Sequence, residues 1–143
     1  MANKFAKGFF TPKNPQKYVG ISRIQYKSSW EFSFMRFCDT NPSILKWASE
    51  AIRIPYKDPL TGRNTVYVPD FFIQYVDKNG KIHVELIEIK PASQAIFERV
   101  GKNKLNQAQY VKNQAKWAAA KLYCDQQGIK FRVVCENDLF HNG

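Results

Sequence analysis

Asp70, Glu88 and Lys90 carry the side chains that could do chemistry, and their spacing says which chemistry. Glu88 and Lys90 lie in VELIEIKP, residues 84–91, a stretch aliphatic enough to form a strand. On a strand they share a face with Val84 and Leu86. Charges on a face meant for burial cost free energy unless they are paired or bind a metal. Asp70 belongs to the preceding strand, TVYVPDFFIQYV, which a turn at DKNG joins to the first. If Asn79-Gly80 were a two-residue turn, Asp70 would face Ile89, and Asp70 and Glu88 would take opposite faces. If Lys78-Asn79-Gly80 form a three-residue loop, Asp77 faces Lys81 and Asp70 stands opposite Glu88, with Cβ atoms roughly 4.5–5.5 Å apart. Asp at the first turn position and Gly at the left-handed one favour this second register.

Two carboxylates held so close repel unless something positive lies between them. Lys90 is one answer, and a divalent metal is a better one. Asp70, Glu88 and the Ile89 carbonyl are hard oxygen donors suited to magnesium with several waters retained, and manganese should substitute. Such a metal stabilises the pentavalent phosphate of a hydrolytic transition state, and Lys90 would orient or deprotonate the attacking water. The pattern predicts a metal-dependent phosphodiester hydrolase.

Other elements must position these groups. Ser28 is a good N-cap and Glu31 completes a capping-box pattern, so a helix should begin at SSWEFSFMRFCD. Asn41-Pro42 predicts a second short helix running through Trp47 to Glu50. IRIPY reads as a short strand and KDPLTGRN as a turn-rich loop. Residues 104–127 predict a long helix with an apolar stripe of Ala108, Val111, Ala115, Ala118 and Leu122. Gln109, Lys112, Asn113 and Lys116 form a polar stripe beside it, Gly128 is the stop, and IKFRVVC reads as a half-buried strand. The order is α-α-β-β-β-α-β, an α/β fold class in the broad sense, more closely an α+β mixed sheet with helices packed on it. Residues 1–20 are expected to form a basic aromatic N-terminal arm on a single domain, 21–143. The alternative is an arm folded back over its own core.

The 143 residues carry a net charge of +10, and residues 1–36 hold seven basic side chains against the single acid Glu31. That asymmetry predicts a polyanionic partner, DNA first. Lys4, Lys7, Lys13, Lys17 and Arg23 could follow a phosphate backbone, or the arm could dock on another protein. Lys112, Asn113 and Lys116 could reach a phosphate, or form a solvated polar face. No apolar run approaches a membrane span. Cys38, Cys124 and Cys135, with only His83 and His141, suggest neither a disulfide framework nor a zinc site, so a reduced cytosolic protein is expected.

Pro69-Asp70 followed by Glu88-Ile89-Lys90 matches the PD-(D/E)xK pattern of metal-dependent nucleases. With TPKNPQKYVG, SSWEFSFMRFCDTNP, IPY, YVPDFFIQ, LIEIKPASQ and NQAKWAAAKLYC in this order, nearly the whole chain resembles the head completion nucleases of T-even-type bacteriophages. It is more distantly similar to the TnsA endonucleases of transposons. The resemblance implies a PD-(D/E)xK restriction-endonuclease-like core in which Asp70 is the first metal-binding acid, Glu88 the second and Lys90 the lysine. A further acid on the first helix joins the metal in the TnsA pattern, and Glu31 matches it. Glu31 also completes the Ser28 capping box, and one carboxylate does not easily do both in one state. Many TnsA relatives carry Gln at the second acid; this chain keeps Glu88, which favours ordinary metal binding.

The resemblance also places the helix of Gln109, Asn113 and Lys116 beside the active site; Gln109 on that helix and Gln94, just past the ExK strand, are candidates to support the ligands. It implies an endodeoxyribonuclease acting in head completion after DNA packaging, in the host cytoplasm or with the virion, in contact with head, portal or neck proteins. Two alternatives stand beside it. One is a structural head or portal assembly factor that keeps a nuclease fold. The other is a resolvase- or transposase-like nuclease, acting as a homodimer rather than a monomer. No reader helix or ribbon is evident, so cleavage without strong sequence preference is expected.

Overall fold

The computed structural model describes residues 7–21, 23–91, 101 and 103–135; Lys4 and Gln94 lie outside them. A four-stranded sheet forms the centre. β3 (Ile44–Ser49), β6 (Phe71–Val76) and β7 (Ile82–Ile89) are antiparallel neighbours, and β8 (Lys130–Val134) joins β7 in parallel. Helix α1 (Ser29–Thr40) covers one face, where Phe34, Met35 and Cys38 meet Trp47, Phe71, Ile73, Ile87 and Ile89. Helix α2 (Lys104–Gln127) covers the other, with Ala120 and Cys124 against Leu86. Between α2 and the sheet's end lies a separate two-stranded ribbon of β4 (Ile54–Lys57) and β5 (Asn64–Tyr67). The expected α+β mixed sheet is present.

Ser28 caps α1 as its side chain predicts, its Oγ accepting the Glu31 N–H at 3.2 Å. Gly128 ends α2 at φ 72, the left-handed conformation that glycine adopts without a Cβ penalty. The β6–β7 turn also follows the sequence: Gly80 is left-handed at φ 81, and Asp77 N–H donates to the Lys81 carbonyl at 2.8 Å. The ladder runs from Val76↔Ile82 to Phe71↔Ile87, so the next pair outward is Asp70 and Glu88.

Three expectations need correction. Residues 42–50 form no second helix. Asn41 closes α1 instead, with its N–H on the Phe37 carbonyl and its side chain accepting the Ser43 N–H at 2.8 Å, and β3 follows. A β-bulge between Ile44 and Lys46 brings Ile44, Trp47 and Ala48 to burial, a spacing that imitates a helix. The strand expected across residues 65–76 is broken at 68–70, where buried Pro69 separates β5 from β6. On α2 the buried positions are Asn113, Ala120 and Cys124, with Trp117 and Tyr123 packed beside them; Val111, Ala118 and Leu122 face solvent. Aromatic bulk outweighs a stripe of small aliphatic groups in choosing the face.

For the N-terminal stretch, the described residues take the second of the two alternatives. Residues 7–20 are folded back on the domain. β1 (Gly8–Phe9) pairs with β2 (Gln25–Tyr26), Phe10 enters the core at 9% exposure, and Val19 N–H bonds the Trp47 carbonyl. A short 3-10 turn, Pro15–Lys17, is anchored to Asp39 at the end of α1. The Asp39 carboxylate accepts the N–H groups of Lys13 and Asn14, both at 2.9 Å, and is almost fully buried. Replacing it strands two donors, so Asp39→Ala should lower stability by about 2–4 kcal/mol in urea denaturation. Unchanged stability would mean that the N-terminal stretch is only loosely attached.

Candidate active site

Asp70 and Glu88 meet where the β6–β7 ladder ends. They point to the face of Phe72 and Leu86, which is the α2 side of the sheet. The Ile89 N–H donates to Asp70 Oδ2 at 2.8 Å, a bond that closes the hairpin beyond its last ladder pair. Glu88 is 4% exposed. Its Oε1 accepts the Tyr67 hydroxyl at 2.8 Å, and its Oε2 lies 3.6 Å from Lys90 Nζ. Lys116, half-buried on α2, places its ammonium 5.6 Å from the Tyr67 ring centroid, a cation–π contact.

The charges are unevenly compensated. Burial, then the Glu88 charge, holds the Asp70 carboxyl well above the ordinary carboxylate range, against the Ile89 amide and Lys90. Burial also raises Glu88, but Lys90, the Tyr67 hydroxyl and Lys116 pull it back. Burial, reinforced by Lys90, lowers the Lys116 ammonium. The site is therefore a half-buried acid, Asp70, beside a buried one, Glu88, with one close ammonium, and Asp70 is the worse satisfied. Hard oxygen donors with excess negative charge are the donor set that a divalent cation favours. Asp70 and Glu88 supply two such donors side by side.

Glu31 stands differently. Its N–H is capped by Ser28, and its Oε1 accepts the Lys27 N–H at 3.0 Å, one residue earlier than a capping box requires. Burial raises its carboxyl, and its charge adds to the shift at Asp70, so the two are electrostatic neighbours. Yet α1 covers the opposite face of the sheet. Among the described residues, no three His, Cys, Asp or Glu side chains are gathered to hold a metal ion.

The residues expected to bind DNA are scattered. Lys7 and Lys13 are exposed, and Arg23 lies over the Phe9 ring at 3.7 Å. Lys17 spends its ammonium on the carbonyls of Asp39 and Asn41, at 3.1 and 2.9 Å. Lys112 pairs with Asp58 at 3.7 Å, Asn113 is fully buried and Gln109 is exposed. Among the described members of that set, only Lys116 reaches the neighbourhood of Glu88. Glu85 accepts from Tyr75 and Arg132 and takes no part in the site.

Sequence reasoning missed Tyr67, Lys27 and Glu50. On a continuous strand Tyr67 would face away from Asp70; the break at 68–70 turns it toward Glu88. Glu50 ends β3 with a left-handed φ of 50, donates its N–H to the Asp70 carbonyl at 3.0 Å and pairs with Lys27 at 3.0 Å. A helix reading of residues 42–50 left no signal for it.

Two comparisons bear on this geometry. Residues 41–136 match the family described as TnsA-like endonuclease N terminal, a span that holds Asp70, Glu88 and Lys90 and begins after Glu31. The chain is also similar to the Head completion nuclease of Enterobacteria phage T4, 34% identical over 142 residues, with 92% of each protein covered.

The Asp70 shift has a stability consequence. A carboxyl whose folded value is raised binds its proton more tightly folded than unfolded. Its stabilisation is complete below the ordinary value of 3.8 and is lost as pH rises through the higher folded value. In EDTA at pH 8, Asp70→Asn should therefore melt above wild type, by about 3 °C or more. The gap should close toward pH 4. Equal melting temperatures at both pH values would show that Asp70 is not strained.

Proposed function

The chain belongs to the TnsA-like endonuclease family, and on that premise we propose that it is a magnesium-dependent endodeoxyribonuclease hydrolysing phosphodiester bonds. The observation that carries the proposal is the placement of Asp70 opposite Glu88 at a ladder end, with Lys90 Nζ 3.6 Å from Glu88. Asp70, Glu88 and the Ile89 carbonyl would hold the ion. When bound, it supplies positive charge for the developing phosphorane and acidity for a coordinated water.

The protein's own groups do the rest. The Tyr67 hydroxyl fixes Glu88 Oε1, so that Oε2 stays turned toward Lys90. Lys90, partly exposed where β7 ends, orients a water beside the acid pair or neutralises charge as the phosphate is attacked. Lys116 is positioned to meet a phosphate that approaches over Tyr67. Glu31 would enter the ligand set only by releasing the Lys27 N–H. The relative named a head completion nuclease suggests the setting, completion of the phage head in the host cytoplasm.

Nicking of supercoiled plasmid in magnesium tests the reading. Asp70→Asn and Glu88→Gln should each slow nicking about a thousandfold, equivalent to about 4 kcal/mol of transition-state stabilisation. EDTA should abolish nicking and manganese should restore it. Tyr67→Phe keeps the ring but removes the hydrogen bond, so about a tenfold loss with unchanged melting is expected. An Asp70→Asn protein that nicks at the wild-type rate would sink the proposal.

A further inference from the structure

We propose that the β4–β5 ribbon is a duplex-binding element that grips the DNA a few nucleotides from the bond being cut. The inference rests on the nuclease reading and adds to it a surface that the sequence did not reveal. One side of the ribbon is committed to the fold: Ile54, Tyr56 and Tyr67 pack with Ala120 and Cys124 of α2. The other side is open, where the cross-strand pairs Pro55–Val66 and Lys57–Asn64 face solvent. Arg53, Lys57 and Arg63 are exposed, and none makes an ion pair among the described residues. Asp58 is the sole acid from residue 51 to 69, and it is 8% exposed. The charged side chains exposed on the ribbon and its loop are therefore all basic.

The tip is braced. Asp58 Oδ1 accepts the Leu60 N–H at 2.9 Å, Asp58 N–H donates to the Arg63 carbonyl at 2.9 Å, and Gly62 N–H returns to the Asp58 carbonyl at 2.8 Å. Lys112 ties the same carboxylate to α2 at 3.7 Å. Gly62, at φ 72, supplies the left-handed residue that this turn needs. A surface ordered in advance loses less entropy on binding. Half-exposed Leu60 stands at the tip between Lys57 and Arg63.

The base of the ribbon is part of the site. Tyr67 holds Glu88, and Asp70 follows three residues later. From Tyr67 back to Asn64 a strand rises roughly 10 Å, or about three nucleotide steps at ~3.4 Å each. Lys57 and Arg63 would therefore meet phosphates about three nucleotides from the scissile one, and a two-stranded ribbon has the width that the major groove admits.

The test is duplex binding by fluorescence anisotropy, with the full chain in EDTA so that nothing is cut. Lys57→Ala with Arg63→Ala removes two exposed charges from the ribbon. Lys78→Ala with Lys81→Ala removes two exposed charges from the β6–β7 turn, roughly 20 Å away at the other end of β6. The ribbon pair should weaken binding about tenfold or more and flatten the slope of log affinity against log salt by about 1.8. The turn pair should change neither. Equal losses from both pairs would reduce the effect to net charge, and normal binding by the ribbon pair would place DNA elsewhere; either result overturns the proposal. Nicking by wild type is scored separately. A protein that binds through the ribbon but never nicks would fail the nuclease reading and leave the surface standing.

Discussion

The register of the β6–β7 hairpin is the constraint on which the rest depends. Side chains alternate along a strand, so a slip by one residue would send Asp70 and Glu88 to opposite faces and dissolve the site. The hairpin is locked at both ends. At the turn, Asp77 Oδ1 accepts the N–H groups of Asn79 and Lys81, and the Asp77 carbonyl accepts from Gly80, whose positive φ closes the loop. At the far end, the lock is Asp70 itself, accepting the Ile89 N–H. One carboxylate thus serves both as register pin and as candidate ligand.

That double use explains the imbalance of charge. Glu88 has a hydroxyl on one oxygen and an ammonium near the other, while Asp70 has a backbone amide and the repulsion of Glu88. A cluster selected for stability would pair both acids, or replace them with apolar groups of the same volume. Leaving one acid of a crowded pair short of positive charge makes little sense as architecture. It makes good sense for a site completed by a cation, since a fully neutralised pair would have no affinity left to offer.

The register of the hairpin was legible because local rules fix it. A glycine in the right turn position and an aspartate before it determine the register, and the register determines the acid pair. The long helix was legible at its ends for the same reason, through Asn103, whose side chain accepts from Leu105 and Asn106, and through Gly128. Non-local competition hid the rest. Asn41-Pro42 has the chemistry of a helix start, yet Ile44, Trp47 and Ala48 are buried by a bulged edge strand paired to β6. The N-terminal lysines looked like a DNA-binding arm; one is consumed by the carbonyls at the end of α1, and Phe10 beside them is drawn into the core. Glu31 was legible as part of the helix start, where its N–H is capped by Ser28 and its carboxylate holds the Lys27 N–H just outside the helix.

The break at residues 68–70 connects these observations. Inside a ladder, a carboxylate is flanked by strands and closed to a substrate as long as DNA. At a ladder end, the backbone is free to turn, and irregular geometry concentrates there: Pro69 buried, Glu50 left-handed against the Asp70 carbonyl, Pro91 just past Lys90. Strained backbone persists only where surrounding structure over-determines it, and such places are disproportionately functional. Here one break does three things. It releases Asp70 from the ladder, rotates Tyr67 onto Glu88, and detaches β4 and β5 from the sheet as a ribbon whose basic side is left open. An unbroken strand would keep the acid pair, but lose both its hydrogen-bonded support and the projecting surface beside it. The geometry of the interruption, more than the PD-(D/E)xK residues alone, is what opens the charged hairpin at one end.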